Sequence, residues 1–211
     1  MKMNIRLGSA LTAAAVFALL ATPAVALPTV DPTAKTLENL QAAFNGESNA
    51  NAKYSAFAKK ADEEGYGKLG SLFRAAAAAE KVHADNHAVV IRKMGGEPKA
   101  EILTPVVATS SKNLEAAIAG ETYERDTMYP EFISTAKAAG SRDALQTLNY
   151  AKTAEAEHAK FYQAALADLP SMKGAGQTYY VCAVCGMTTT NLNFKKCVSC
   201  FTPKEKYFAV A

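Results

Sequence analysis

Glu80-Lys81-Val82-His83 and Glu155-Ala156-Glu157-His158 are two copies of a Glu-x-x-His pattern, which is the feature of this sequence most informative about its fold. Each copy lies in a stretch whose apolar residues recur with helical spacing. Residues three apart on a helix share one face, so the glutamate and the histidine of one copy can bind the same metal ion. Two such helices are typical of a two-metal site in a four-helix bundle, in which each of the other helices adds a glutamate.

The other two helices are predicted from the same periodicity, and both place glutamate on their apolar face. Glu47 lies on that face in the first helix, and Glu121 and Glu124 lie on it in the third. Pro130 is expected to kink the third helix or to open its hydrogen bonds locally. The stretch 96–109 contains two prolines and is predicted to cross between the two halves of the bundle. The chain is therefore predicted to be mainly α, with helices over 33–64, 66–94 (or from 71), 110–139 and 141–169.

The glutamates on these inward faces predict bound metal ions. A single glutamate in a helix is usually solvated, and a single histidine on an apolar face is usually a hydrogen-bonded core residue. Five buried carboxylates without a cation would be costly, and the same faces carry no lysine or arginine. Ligands that are mostly carboxylates suit iron or manganese better than copper or structural zinc. The predicted ligands of the two metal ions are Glu47, Glu80, His83, Glu121, Glu124, Glu155 and His158.

Three further residues lie on or near these faces and could support the ligands. His87 is one turn beyond His83, so it is either a third nitrogen ligand or, as we favour, a residue that supports the ligands or fills the core. Tyr54 and Tyr129 could donate hydrogen bonds to ligand carboxylates, or they could be ordinary aromatic core.

The four cysteines form a second predicted metal site near the end of the chain. Cys182 and Cys185 make one C-x-x-C pair, and Cys197 and Cys200 make the other. This spacing favours one tetrahedral ion bound by four thiolates, either iron or zinc. An exported protein could instead form two disulfides, which is the alternative interpretation.

The chain begins with a predicted export signal. Lys2 and Arg6 precede an apolar stretch that ends in Ala24-Val25-Ala26, a cleavage pattern, so we expect removal of residues 1–26 and a periplasmic protein. An uncleaved membrane anchor is the alternative, and no later stretch is apolar for long enough to span a membrane. A net charge of +3 gives no indication of nucleic-acid binding. The predicted parts are a signal peptide (1–26), the bundle (27–170), a linker (171–177) and a cysteine module (178–211).

The chain resembles the rubrerythrin family over essentially all of this mature part. The segments that carry the resemblance are Ala43-Phe-Asn-Gly-Glu-Ser48, Glu80-Lys-Val-His83-Ala, Gly120-Glu-Thr-Tyr-Glu124, Met128-Tyr-Pro-Glu-Phe132, Glu155-Ala-Glu-His158-Ala and Cys200-Phe-Thr-Pro-Lys204.

The resemblance implies a ferritin-like di-iron bundle followed by a rubredoxin-like Fe(Cys)4 domain. It implies a peroxidase of oxidative-stress defence, which reduces hydrogen peroxide to water with electrons from an unidentified donor. It also implies that the residue matching Glu124 yields its place on one iron to the residue matching His83 when the redox state changes. Homodimers of the family bring one chain's rubredoxin domain near the partner's di-iron site.

Two features of the sequence depart from the family pattern. The loop after Cys185 is short and lacks the usual aromatic residue after Gly186, which could mark a zinc ribbon. The export signal separates the protein from a cytoplasmic electron donor. The functions that compete with the peroxidase are a ferroxidase or iron-handling protein and a non-enzymatic bundle whose zinc ribbon binds a partner.

Overall fold

The computed structural model of the protein describes residues 31–211, so the predicted signal peptide lies outside the described residues. The helical hairpins and the crossover of the bundle are as the sequence predicts. The helix ends agree within three residues, with the second helix beginning near the earlier of its two predicted starts. Within residues 31–211, no helix is long and apolar enough to cross a membrane. The helices of the bundle are α1 (Pro32–Glu63), α2 (Gly67–Lys93), α3 (Ser110–Tyr123), α4 (Tyr129–Ala138) and α5 (Arg142–Ala167).

Local sequence signals explain where these helices begin and end. The Asp31 side chain accepts a hydrogen bond from the Thr33 amide at 2.9 Å, which caps α1. Gly65 has a φ of +79° in the turn between α1 and α2, a conformation that glycine adopts without the steric cost of a side chain. The turn is short, so α1 and α2 form an antiparallel hairpin.

The third predicted helix is interrupted ahead of Pro130. Residues Glu124–Met128 form a π-helical turn, in which the Tyr129 amide donates to the Glu124 carbonyl five residues back. Pro130 has no amide hydrogen, so it cannot donate the usual α-helical hydrogen bond to the carbonyl four residues back, and the regular hydrogen-bond pattern is interrupted here. The expected local opening is confirmed, and it places Glu124 at the start of the irregular turn.

The crossover between α2 and α3 is held against α1 by amide side chains one helical turn apart. Asn45 accepts a hydrogen bond from the Glu101 amide at 2.9 Å. Asn49 accepts one from the Leu103 amide at 2.9 Å and donates to the Glu101 carbonyl at 2.8 Å. These bonds satisfy backbone groups that have no helix or strand partner.

Two apolar clusters fill the bundle on either side of its centre. One is rich in aromatic rings, and Tyr54, Phe73 and Tyr162 pack together within it with ring centroids 5.3 to 6.0 Å apart. The other contains Leu40 and Leu148. The buried glutamates and histidines lie between the two clusters.

The cysteine module packs against α2 and α5 of the same chain. Its antiparallel sheet has the order β2-β1-β3, from Tyr179–Cys182 (β1), Thr188–Thr189 (β2) and Tyr207–Val210 (β3). The linker lies directly on the start of α2, where a side chain on Gly67 would collide with the Gly174 carbonyl. A Cβ on Gly176 would lie 2.6 Å from the Ser71 hydroxyl. Glycine at these positions therefore allows the close approach that docks the module on its own bundle.

Candidate metal centre

Six of the predicted ligands converge at the centre of the bundle, and each is at most 1 % exposed. They form two overlapping groups, within each of which the ligand atoms lie within 4.8 Å of one another. α1 and α3 contribute one glutamate each, and α2 and α5 contribute one Glu-x-x-His pair each, as the sequence predicts. The first group is Glu47, Glu80, His83 and Glu155, and the second is Glu80, Glu121, Glu155 and His158.

Glu80 and Glu155 belong to both groups, and each directs one oxygen to each histidine. His83 Nδ1 lies 2.9 Å from Glu80 Oε2 and 3.0 Å from Glu155 Oε1. His158 Nδ1 lies 3.3 Å from Glu80 Oε1 and 3.0 Å from Glu155 Oε2. This arrangement suits two carboxylates that bridge two metal ions, each ion also bound by one histidine.

The unpaired oxygens of the site show that cations fit this donor set. One oxygen each of Glu47, Glu80, Glu121 and Glu155 is buried without a hydrogen-bond partner. An unpaired buried carboxylate is strongly disfavoured, and divalent cations remove this cost. Carboxylate-rich ligands with one histidine for each ion suit iron or manganese.

Protonation of the metal-free site also reflects this crowding of buried carboxylates. Burial, and then the charges of Glu155 and Glu80, raise the pKa of Glu121 to about 8. Burial and the same two neighbours raise the pKa of Glu47 well above its ordinary value. Burial lowers the pKa of His83, but the Glu155 and Glu47 carboxylates outweigh this effect and raise it well above the usual range.

Glu124 is the one predicted ligand that lies outside both groups. It belongs to the π-helical turn, and burial followed by the charges of Glu47 and Glu121 raises its pKa well above the ordinary value. His83 occupies the position beside Glu47. The structure therefore brings six of the seven predicted ligands together and leaves Glu124 at the edge of the site.

Both tyrosines singled out in the sequence donate to ligand carboxylates. The Tyr54 hydroxyl lies 2.5 Å from Glu121 Oε1, and the Tyr129 hydroxyl donates to Glu47 Oε1. Each bond leaves the second oxygen of its glutamate free for a metal ion. Of the two interpretations of these tyrosines, the geometry agrees with hydrogen bonding to ligands.

His87 lies behind Tyr129 and belongs to neither ligand group. Its Nε2 is 3.3 Å from the Tyr129 hydroxyl, and its Nδ1 is 2.9 Å from the Thr147 hydroxyl. Because Tyr129 gives its proton to Glu47, His87 must donate from Nε2 and accept at Nδ1 from Thr147. Burial, and then the charge of His83, lower the pKa of His87 to about 3, so the ring is neutral. The sequence analysis did not identify Thr147 as the partner of His87. A polar residue on the buried face of α5 could have indicated such a role.

The four cysteines lie at one point in the module, as a single metal site requires. Cys182 Sγ is 3.7 Å from Cys200 Sγ, and Cys185 Sγ is 3.5 Å from Cys197 Sγ. A disulfide bond is about 2.05 Å long, so the thiols are free and the alternative of two disulfides is wrong. Four thiolates at about 2.3 Å from one tetrahedral ion would be roughly 3.8 Å apart, which is close to the distances found here.

The two sites meet through the histidines. His83 presents Nδ1 to the carboxylates, and its Nε2 lies 3.2 Å from the carbonyl oxygen of Cys185. His158 makes the equivalent contact to the Thr188 hydroxyl at 3.0 Å, which sequence analysis did not anticipate. Gly186 has a φ of +75°, and a side chain on it would collide with the His83 ring. The bond to Cys185 therefore joins a thiolate ligand of one site to an imidazole ligand of the other.

Comparison with known proteins gives the family of this chain. The sequence profile of the family described as rubrerythrin matches residues 38–166. The chain belongs to the rubrerythrin family. It is 39 % identical to nigerythrin of Nitratidesulfovibrio vulgaris over 82 % of this chain and 86 % of that protein. It is 34 % identical to rubrerythrin-2 of Clostridium acetobutylicum over 83 % of this chain and 97 % of that protein.

Solved structures agree with this family membership. The sequence of nigerythrin in its fully reduced, all-ferrous structure is 36 % identical to this chain. The two structures superpose with a TM-score of 0.76, over 90 % of this chain and 91 % of that chain. A bacterioferritin of Desulfovibrio desulfuricans has a TM-score of 0.64 at 22 % identity, covering 80 % of this chain and 97 % of that chain. The second likeness shows the ferritin-like fold alone. The rubrerythrin fold, a ferritin-like bundle with a rubredoxin-like cysteine module, is therefore that of this chain.

Proposed function

We propose that this member of the rubrerythrin family is a non-haem di-iron peroxidase of oxidative-stress defence. In this proposal it reduces hydrogen peroxide to water, with electrons that arrive through a Fe(Cys)4 centre. The observation that carries the proposal is the bond from His83 to the Cys185 carbonyl, because it links a two-metal site to a thiolate site over a single contact. The same bond fixes the orientation of the His83 ring, as hydrogen bonds to metal-binding histidines do.

The ligands that would hold the metals follow from the geometry. The two irons would be held by Glu47, Glu80, His83, Glu121, Glu155 and His158. The family resemblance implies that Glu124 is the alternative ligand that yields its place on one iron to His83. When bound, two ferrous ions supply the two electrons that convert H2O2 and two protons into two waters. The metal of the cysteine module is proposed to be iron, because the module must pass electrons to the bundle and zinc cannot change its oxidation state.

The remaining residues of the site orient the ligands and exclude water. Tyr54 and Tyr129 fix one oxygen of Glu121 and of Glu47. The chain from Thr147 through His87 to Tyr129 holds the tyrosine hydroxyl in one orientation. The aromatic cluster next to Tyr54 keeps one side of the site dry, so charged groups interact strongly there.

Export and dimer formation are part of the proposal. We expect cleavage after Ala26 and a periplasmic location, which N-terminal sequencing of the secreted protein would test. We also propose a homodimer, as the family resemblance implies. The contact between module and metal site lies within one chain, so delivery of electrons in this proposal does not depend on the partner.

The test begins with metal content and the visible spectrum of the mature protein, purified without oxygen. About three irons per chain, with a thiolate–iron absorption that peroxide restores after reduction, would support the proposal. Two irons and one zinc would remove the relay and overturn it.

One variant distinguishes electron delivery by the cysteine module from peroxide reduction at the two-metal site. Cys197→Ser should leave a single turnover of peroxide by the prereduced bundle unchanged, because no bundle ligand is touched. It should slow repeated turnover by at least tenfold. Equal loss of both would contradict a relay role for the module.

A further inference from the structure

The cysteine module has an exposed apolar knuckle beside its most accessible thiolate. Cys200 is half-buried, whereas the other three cysteines are buried. Val198 is 73 % exposed and Phe201 is 72 % exposed, and they flank Cys200 on either side. Large apolar side chains that are exposed next to each other on a folded protein commonly mark a binding surface.

The backbone holds Phe201 in this exposed position at a conformational cost. Phe201 has a φ of +58°, and among residues 31–211 it is the one non-glycine residue with positive φ. Its amide donates to the Cys197 carbonyl at 3.0 Å, and the Cys197 amide donates to the Thr202 carbonyl at 2.8 Å, which fixes the turn. The equivalent residue of the first knuckle, Gly186, has a φ of +75° and donates to the Cys182 carbonyl in the same way, so the knuckle turn requires this conformation and here it is filled by a phenylalanine.

Lysines surround this knuckle. Lys195 and Lys196 are exposed directly before Cys197, and Lys196 pairs with Pro203 across the hairpin, so both stand next to the Phe201 turn. Residues 178–211 hold four lysines and one glutamate, a net charge of +3, which equals the formal net charge of the whole chain. Without residues 1–26, which contain Lys2 and Arg6 and no acidic residue, the net charge is +1, so the module is net positive and the rest of the mature chain is net negative.

A groove continues the apolar surface toward the bundle. It has a volume of about 380 Å³ and lies between α5 and the module. Val198, Phe194 and Tyr207 line it from the module. Ala156, Glu157 and Lys160 line it from α5, where the Lys160 ammonium is paired with the Glu157 carboxylate at 3.0 Å. A partner seated on the knuckle could place a side chain in this groove.

We propose that the surface formed by Val198, Phe201, Lys195 and Lys196 is where an acidic one-electron carrier protein docks. The inference rests on the proposed function and names the partner class of its relay. An apolar centre with an aromatic anchor and a charged rim is the usual anatomy of a protein interface, and positive charge selects a negative partner. The reduced carrier gives one electron to the iron of the cysteine module, which passes from ferric to ferrous, and two such transfers match one peroxide.

The experiment measures binding, so it does not depend on peroxidase activity. Isothermal titration of the full chain uses an oxidised plant-type [2Fe–2S] ferredoxin as the acidic probe and cytochrome c as the basic probe. Ferredoxin should bind and cytochrome c should not. The double variant Lys195→Glu, Lys196→Glu should weaken ferredoxin binding at least tenfold at low salt. Added salt should reduce this difference in affinity between the wild-type protein and the variant, because it screens the charges.

Two further variants keep the test decisive. Lys59→Glu with Lys137→Glu makes the same charge change on exposed lysines of the bundle, and it should leave binding within about twofold. Phe201→Asn removes the ring with a residue that tolerates positive φ, and it should weaken binding at all salt concentrations.

Equal effects of the two lysine pairs would overturn the proposal. So would a change in the sedimentation of Phe201→Asn alone, because the surface would then be occupied by a second copy of this chain. If the module metal proves to be zinc, the peroxidase proposal fails. The titrations then still decide whether an acidic protein docks here.

Discussion

At the scale of single residues, the centre of the bundle is an arrangement of acids that is unfavourable without its cations. Four carboxylate oxygens make no hydrogen bond of good geometry, although two of them lie close to a histidine nitrogen, and the pKa of Glu121 is raised to about 8 by burial and by neighbouring carboxylates. The same residues would lose this penalty when a divalent ion takes the place of the missing donors. Metal content should therefore change how stability depends on pH.

We expect opposite pH trends for the metal-free and the iron-loaded protein. Between pH 5 and 8 the metal-free folded state keeps protons on Glu121 and His83 that the unfolded chain releases, because both pKa values are raised on folding. The folded state then binds more protons, so its free energy of unfolding falls as pH rises. Metal binding requires deprotonated ligands, so stabilisation by iron grows with pH.

Urea denaturation at several pH values, without oxygen, measures both trends. Glu121→Gln is the matched control, because residue 121 then cannot titrate and the free energy of unfolding of the metal-free protein should fall less steeply with pH. Parallel trends in the two forms would show that these groups are not protonated as the geometry indicates.

Gly186 is the residue on which contact between the two sites depends. Gly186→Ala should push the Cys185 carbonyl away from His83, since a Cβ there would collide with the ring. We expect electron transfer from the iron of the cysteine module to the bundle to slow at least tenfold, measured by stopped-flow absorbance. Gly95→Ala is the control, because Gly95 has a similar φ of +81° but no atom within 4 Å of the added Cβ.

If Gly95→Ala slows the transfer as much as Gly186→Ala, the effect comes from backbone strain and not from the contact with His83. A normal rate in Gly186→Ala would mean that electrons take another route.

At the scale of elements, the crossover is an extended segment made stable by side chains from a helix. Asn49 alone bonds both the Glu101 carbonyl and the Leu103 amide. Asn49→Ala should leave both groups without their partner and weaken the segment by about 1 kcal/mol for each bond. We expect faster amide hydrogen exchange at Leu103, while the helices stay protected.

Ser48→Ala is the control for this change, because the Ser48 hydroxyl bonds only within its own helix, to the Phe44 carbonyl. Equal exchange at Leu103 in both variants would mean that the amide side chains do not hold the crossover.

The elements also show what the sequence could and could not predict. The helices and six ligands followed from periodicity and from the Glu-x-x-His spacing, since both depend on neighbours within one helix. Pro130 correctly predicted a break in the hydrogen bonds, although not that the break would take the form of a π-helical turn. Thr147, Thr188 and the Asn49 bonds were not predicted, because their partners lie 30 to 60 residues away along the chain.

At the scale of the whole molecule, the module is docked on the bundle to which it is covalently linked. The family resemblance implies that a partner's module lies near each di-iron site, whereas here the linker glycines seat the module on its own α2 and α5. This arrangement gives a direct prediction about two inactive variants.

Mixing Cys197→Ser with Glu121→Ala should not restore peroxide turnover. The first lacks a thiolate of the module, and the second lacks a bundle ligand but keeps both histidines that contact the module. If each module serves only its own bundle, no chain in the mixture is complete. The two variants are co-expressed with different tags, and the mixed assembly is isolated and assayed with peroxide.

Recovery of up to half the normal turnover in the mixed assembly would contradict this prediction and would favour electron delivery across the dimer. The matched control is wild-type chain co-expressed with Cys197→Ser, which should keep about half of the turnover under either arrangement.

The docked module has one more consequence, for how the bundle exchanges its ions with the surroundings. The outer nitrogens of His83 and His158 both bond to the module, and all six converging ligands are at most 1 % exposed. An ion or a chelator reaching the centre from this side must first lift the module away, so exchange follows the opening of the module and not the strength of the ligands alone. We therefore expect the metals to be lost faster in variants whose linker holds the module less tightly.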